Sequence, residues 1–358
     1  MYQINWRAIN MGSRKRVEIK GLTIGGNSTV RVESMIKTPL SNIDECALEC
    51  AALANEGCEL VRVSLPDLAL ADNMKLLNSM SPVPIMADIH FNHRLAIAAL
   101  EAGCPSIRIN PGNMSDRKGT EDVIKLAQSL GAVIRIGANG GSVSKAQLEH
   151  TKGDRSAALA FAVDEQVNIL RDCSFEDIII SAKSSSVVET VRANFLLSQK
   201  YPYPIHIGIT EAGAGTAGII KGAAGISVML AQGIGDTIRV SLTGPSVEEV
   251  KVGYHILGSL EIRERGYNLI SCPTCGRKRI DVAKLVEEVT ALLPKNIKDG
   301  TTIAVMGCEV NGPREAACAD LGIAGTPDGF VIFRKGKAIC NDTSENLKKR
   351  LIEEIKRL

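Results

Sequence analysis

Residues 134–137 read IRIG, and the same pattern of apolar residue, arginine, apolar residue and small residue returns as VRVS (61–64), IRIN (107–110) and IRVS (238–241). Each tetrapeptide ends a short run rich in β-branched residues, the composition of a buried strand. Four more runs share this length and punctuation: TVRVESM (29–35), VPIMADIH (83–90), DIIISAK (177–183) and PIHIGIT (204–210). Between these eight strand candidates lie helix-like segments such as NIDECALECAALANEG, NHRLAIAALEAG and VVETVRANFLLSQK, several closed by glycine just before the next strand. Eight β-α units in about 260 residues have the length and rhythm of a (β/α)8 barrel. An open doubly wound sheet would not usually need eight parallel strands in one series. The expectation is an α/β chain with a TIM-like barrel over residues 1–265.

From about Tyr267 the pattern changes. A C-x-x-C pair is followed by a helix-like DVAKLVEEVTALL, a strand TTIAVM, a short helix after NGP, a hairpin FVIFRKGKAIC and a charged final helix SENLKKRLIEEIKRL. Residues 266–358 are therefore expected to form a second, α+β domain, small enough for a metal to staple.

With 358 residues the chain exceeds the size at which one core stops growing. Apolar residues at 45% supply that core, and charged residues at 23% are ordinary. The net charge is +2, so nothing global calls for nucleic acid or an anionic membrane. The most apolar candidate span, GIIKGAAGISVMLAQGIGD, is interrupted by Lys221, and the N-terminus lacks the apolar run of a secretory signal. A reducing, cytoplasmic setting is expected, where ten cysteines are not a disulfide framework. Cys46, Cys50, Cys58, Cys104 and Cys173 read as small buried hydrophobes.

The active face of a barrel lies at the C-terminal ends of its strands. Arg62, Arg108, Arg135, Lys183 and Arg239 all fall there. One strand arginine is more often structural, but alternation turns these five cations toward the barrel axis, where they repel unless a polyanion sits between them. Guanidinium forks suit phosphate oxygens, so a phosphate or diphosphate ligand is the economical reading. Asn110 with Gly112, and Asn139 with Gly140 and Gly141, follow two of the strands in loops able to present backbone N–H groups to the same anion. Asp88 reads either as an ion-pair partner of an arginine or as a proton-transfer group, and His90 and His93 as ligand contacts or loop residues. Glu211, in TEAG, is the preferred acid–base candidate.

Cys272, Cys275 and Cys308 suit a structural zinc, an iron–sulfur cluster or a redox thiol pair. A fourth ligand is needed. Cys318 supplies a thiol inside EAACADLG, where it also reads as apolar filling, and Glu315 supplies a carboxylate just after the expected turn at Asn311–Gly312–Pro313. Spacing does not choose between them.

The stretches VRVSLPD, ADIHF, IRINPGN, IRIGANGGS, TEAG, GIGDTIRVSLT, CPTC and GCEVNGP-x-EA, in this order, resemble the bacterial two-domain 4-hydroxy-3-methylbut-2-enyl diphosphate synthases of the methylerythritol phosphate isoprenoid pathway. The resemblance spans nearly the whole chain. It implies a TIM-like barrel followed by a small ferredoxin-like iron–sulfur domain with a 4Fe–4S cluster held by Cys272, Cys275, Cys308 and Glu315. It also implies diphosphate binding by Arg62, Arg108, Asn110, Arg135, Asn139, Lys183 and Arg239, which Asp88, His90 and Ser241 join as further expected substrate contacts. The implied reaction is reductive opening of a cyclic diphosphate, with electrons from reduced flavodoxin or ferredoxin, a proton from Glu211, and a homodimer whose sites are shared between subunits. Departures are visible: the family's usual VQSMTNT reads VESMIKT here, placing Glu33, Ile36 and Lys37 beside the expected pocket, its VKAS-like strand reads AKSS, and NGPGE reads NGPRE, placing Arg314 next to Glu315. The competing expectation is a non-redox phosphate-binding protein whose second domain is stapled by zinc through the three cysteines and Cys318.

Overall fold

In the computed structural model, eight strands pair side by side, all parallel. The described residues are 13–358 except 91, 111–113, 115, 295, 311 and 344–345. The chain divides into two compact units, Met1–Arg263 and Glu264–Leu358. In the first, an antiparallel hairpin of β1 (Arg16–Ile19) and β2 (Leu22–Gly25) precedes the barrel strands β3 (Arg31–Met35), β4 (Leu60–Ser64), β5 (Ile85–Asp88), β6 (Ser106–Ile109), β7 (Val133–Asn139), β8 (Ile178–Lys183), β9 (His206–Ile207) and β10 (Thr237–Ile238). Their spatial order is β8-β7-β6-β5-β4-β3-β10-β9, and a parallel bridge between Ile180 and Ile205 joins β8 to β9 and closes the ring.

Alternation sorts the barrel side chains as expected. Val61, Val63, Ile107, Ile109, Ile134, Ile136, Ile238 and Val240, flanking the strand arginines, are buried in the outer core against the helices. Residues of the opposite parity face inward. At the N-terminal end of the strands, Leu60, Met86, Val133 and Ile179 pack on Val17, Ile19 and Ile24 of the hairpin, which closes that mouth. The hairpin was not among the sequence expectations. The expected helices are present with local capping: Asp116 accepts from the Gly119 N–H at the start of Arg117–Leu130, which ends on left-handed Gly131, and Asp154 and Ser186 cap Arg155–Asp172 and Val187–Lys200. A short helix, Lys145–His150, is additional. Arg263 ends the unit by pairing with Glu59 at 2.6 Å and donating to the Val30 carbonyl.

The second unit holds a five-stranded mixed sheet in chain order: β11 (Tyr267–Ser271), β12 (Thr301–Met306), β13 (Leu321–Thr326), β14 (Gly329–Arg334) and β15 (Lys337–Asp342). The first three are parallel and the last two antiparallel. Helices Val282–Leu292 and Leu347–Ile355 contribute Leu285, Val289, Leu351 and Ile355 to its main core. Strand β13, LGIAGT, was not expected; its glycines and alanine carry little strand signal. Gly322 lies where an added Cβ would stand 2.1 Å from the Ala316 carbonyl, so only glycine lets helix Gly312–Ala317 sit this close to the sheet.

Candidate functional site

The inward positions at the C-terminal ends of the barrel strands carry ions rather than apolar groups. Asp88, 4% exposed at the end of β5, lies between Arg62 Nε at 3.5 Å, Arg108 Nη1 at 3.3 Å and His90 Nε2 at 3.4 Å. Burial alone would raise its pKa, but Arg62, His90 and Arg108 outweigh that and hold the carboxyl well below the usual carboxylate range. Arg239 forks onto Glu249 of helix Ser246–Ser259, Nε to Oε2 at 3.2 Å and Nη2 to Oε1 at 3.4 Å, and Lys37 reaches Glu249 Oε1 at 3.0 Å. Arg62 also donates to Met35 Sδ at 3.1 Å.

One layer deeper, Arg135 is 2% exposed and donates to Glu33 Oε2 at 2.5 Å. Burial opposes the Glu33 charge, yet Arg135, with Arg62 and Lys183 behind it, keeps its pKa low. Lys183 Nζ lies 2.7 Å from His206 Nε2. The five expected cations therefore do share one interior, but Asp88, Glu33 and Glu249 neutralise much of their charge. The expectation that only a bound polyanion relieves their repulsion is corrected to that extent; a cationic excess remains. A cavity of about 570 Å³ opens beside this layer, lined by Met35, Ile36, Lys37, Ser64 and Arg239 among others, so two of the VESMIKT departures, Ile36 and Lys37, face it, while Glu33 is buried on Arg135.

The other expected residues are less closely gathered. Asn110 is half-buried after β6, and its loop from 111 to 113, with Gly112, lies outside the described residues. Asn139 is exposed, and its backbone N–H is taken by Ser142 Oγ at 3.2 Å. Ser241 is half-buried. Glu211 is exposed on a turn at φ 51°, a left-handed conformation uncommon for a side-chain-bearing residue. Its loop is tied on both sides, Thr210 N–H to the Ser184 carbonyl and Thr243 N–H to the Gly213 carbonyl, which sets it between the ends of β8 and β10. His93 stands 3.7 Å from Asp116 Oδ2 at the start of the next helix. Sequence reading missed Glu249 and His206. The second was legible, since IHIG (205–208) is the arginine tetrapeptide with histidine in arginine's place.

In the second unit, β11 and β12 run parallel with Ser271 opposite Val305, so the loops leaving them lie side by side. Cys272, Cys275 and Cys308 consequently line one cavity of about 230 Å³. The Gly307 N–H donates to Cys272 Sγ at 3.2 Å, and an added Cβ at Gly307 would crowd that sulfur. Among the described residues no three His, Cys, Asp or Glu side chains are gathered closely enough to hold a metal ion as they stand. Three soft sulfur donors opening on one cavity nonetheless suit a thiophilic iron or zinc centre. Neither Glu315 nor Cys318 lines the described cavity; both are exposed, so Cys318 does not fill an apolar face. Asn311, in the expected turn, lies outside the described residues, and Gly312 starts the helix instead. Of the five cysteines expected to be buried, Cys46, Cys50, Cys58 and Cys104 are, and Cys173 is half-buried.

The family described as the GcpE TIM-barrel domain matches residues 14–254, and that described as the GcpE protein C-terminal domain matches residues 268–357. The chain belongs to the GcpE family. The Lawsonia intracellularis protein named 4-hydroxy-3-methylbut-2-en-1-yl diphosphate synthase (flavodoxin) is 44% identical over 325 residues, covering 91% of this chain and 90% of its own. Relatives of the same name from Thermodesulfovibrio yellowstonii and Clostridium perfringens are 42% and 43% identical, over 96% and 97% of this chain and 98% and 99% of theirs. Among solved structures, Yersinia pestis dihydropteroate synthase aligns at a TM-score of 0.51 and 12% identity, over 70% of this chain and all (100%) of its own, which is a likeness of fold alone.

Proposed function

We propose that this GcpE-family enzyme catalyses the reductive ring opening and dehydration of 2-C-methyl-D-erythritol 2,4-cyclodiphosphate to 4-hydroxy-3-methylbut-2-enyl diphosphate, in the methylerythritol phosphate route to isoprenoids. The observation that carries the reading is the pairing, in one chain of this family, of a barrel interior that gathers Arg62, Arg108, Arg135, Lys183 and Arg239 with a three-cysteine cavity in the second unit.

In this reading the barrel holds the diphosphate. Asp88 keeps Arg62 and Arg108 aimed inward, Glu249 does the same for Arg239, and the excess positive charge attracts phosphate oxygens. Asn110, Asn139, His90 and Ser241 complete the substrate contacts. Cys272, Cys275 and Cys308 would hold a 4Fe–4S cluster, with Glu315 as a fourth, exchangeable ligand. When bound, that group supplies a Lewis-acidic iron and one-electron reduction. Glu211, set on its tied turn at the barrel mouth, gives the departing hydroxyl a proton so that it leaves as water. Reduced flavodoxin or ferredoxin is the electron donor, and the enzyme works in the reducing cytoplasm, which suits ten free cysteines.

A homodimer with sites shared between subunits belongs to the same proposal. It is supported by exposed apolar side chains on neighbouring helices, Val188, Phe195 and Leu196 on Val187–Lys200 and Ile220 and Val228 on Gly215–Leu230, a surface that a second copy would cover.

Comparing Glu315→Ala with Cys318→Ala tests the ligand assignment. The first is expected to lose turnover, and the second to keep both iron and turnover. If Cys318→Ala alone loses the metal, the fourth ligand is the thiol.

A further inference from the structure

Behind Lys183, one of the five ring cations, the barrel interior contains a buried line of groups that anion binding itself does not use. His206, 0% exposed at the start of β9, faces Lys183 through Nε2 at 2.7 Å and Thr237 Oγ1 through Nδ1 at 2.7 Å, with Glu33 Oε2 at 3.6 Å from the same Nδ1. Thr237 is brought there by the ladder, which pairs it directly with His206. A lysine end group donates to an imidazole nitrogen only where that nitrogen carries no hydrogen. An uncharged amine also accepts from a ring N–H, so the 2.7 Å contact holds Lys183 and His206 together in either tautomer. Two residues along, Gly208 leaves the lysine its path: a Cβ there would stand 2.5 Å from the Arg239 carbonyl and 3.3 Å from Lys183 Nζ.

The charges facing this pair come from four strands. Arg62 on β4, Arg135 on β7 and Arg239 after β10 are cations, and Glu33 on β3 is the carboxylate, its Oε1 buried without a hydrogen-bond partner among the described residues. Asp88 pairs with Arg62 and Glu249 with Arg239, but Lys183 itself is buried and makes no ion pair with either carboxylate, so this is a poor place for a further positive charge. Burial, then Arg135 and Arg62, push the Lys183 pKa well below its usual value; burial, then Lys183 and Arg135, do the same for His206.

We propose that His206 is a positioning residue for Lys183, holding its amine at the mouth of the anion site, and that the Lys183–His206 pair takes up a solvent proton when a diphosphate binds. The inference rests on reading the cationic ring as a diphosphate site. An arriving anion adds negative charge beside Lys183 and reverses the local balance, so the amine becomes an ammonium in the complex.

Calorimetric titration of the full-length protein near pH 7, in buffers of differing ionisation enthalpy, with the cyclodiphosphate and separately with inorganic pyrophosphate, counts the protons exchanged. Net uptake is expected with the wild type and none with Lys183→Arg, whose guanidinium is charged throughout. His206→Asn is expected to weaken binding roughly tenfold, the worth of one hydrogen bond to a charged group, and to shift the pH dependence of affinity. A merely structural histidine would leave that dependence in place. Thr237→Val, which removes the 2.7 Å partner of Nδ1 and leaves Glu33 in place, is expected to move it in the same direction should His206→Asn fail to fold. Binding of either anion without proton uptake overturns the inference and leaves the diphosphate reading intact. Pyrophosphate binding with uptake, and no binding of the cyclodiphosphate, supports the inference and sinks the proposed substrate; binding of neither anion overturns both.

Discussion

Arg135 and Glu33 are the most enclosed opposite charges in the barrel, each no more than 2% exposed. Such a pair gains little over a well-packed apolar pair, but removing one partner strands the other charge away from water. Arg135→Met is therefore expected to destabilise the protein by roughly 3–5 kcal/mol in chemical denaturation, and Arg135→Met with Glu33→Met to recover much of that loss. Equal and additive losses would mean that the two charges act independently. Asp88 makes a pH-dependent case. Its folded pKa lies below the ordinary carboxylate value, so its contribution to stability is complete above that value and is lost as pH falls through the folded pKa. Asp88→Asn is expected to be less stable than the wild type at neutral pH, with the gap narrowing below about pH 4.

The hairpin of β1 and β2 closes the N-terminal end of the barrel, and Ile19 and Ile24, both 0% exposed, plug it against the inward layer. Ile24→Ala is expected to cost about 2–5 kcal/mol, measured as a lower denaturation midpoint. A negligible cost would show that the hairpin does not seal the barrel. This element also marks how far the chain is legible before folding. Four barrel strands announce themselves because apolar-Arg-apolar-small is a two-residue alternation with an ion at an inward position, and the other four share their length and punctuation. The hairpin has only four-residue strands laced with Arg16 and Glu18. Its signal is the Lys20–Gly21 turn, both residues at positive φ, as a two-residue hairpin loop requires. Strand β13 was hidden by small residues that pack closely without advertising a strand. At the site, the cations and the cysteine cavity were legible from spacing. Glu249 was not, because a glutamate in an amphipathic helix shows its inward turn only after the helix docks on the barrel.

Across the whole chain, the proposed function asks two different chemistries of two sets of residues, anion binding of the barrel's cations and soft-metal ligation of the second unit's cysteines. The exposed apolar helices of the barrel unit bear on how copies associate. Phe195→Glu is expected to shift sedimentation toward monomer and to lower turnover at low protein concentration; an unchanged sedimentation coefficient would remove this face from the dimer proposal. Both halves of the proposed chemistry meet in one measurement: anaerobic purification of the full chain, iron and acid-labile sulfide analysis, and turnover of the cyclodiphosphate with a chemical reductant. Iron and sulfide in equal amounts, with conversion to 4-hydroxy-3-methylbut-2-enyl diphosphate, is the expected result. A colourless protein carrying zinc and no iron, inert toward the cyclodiphosphate, would contradict it.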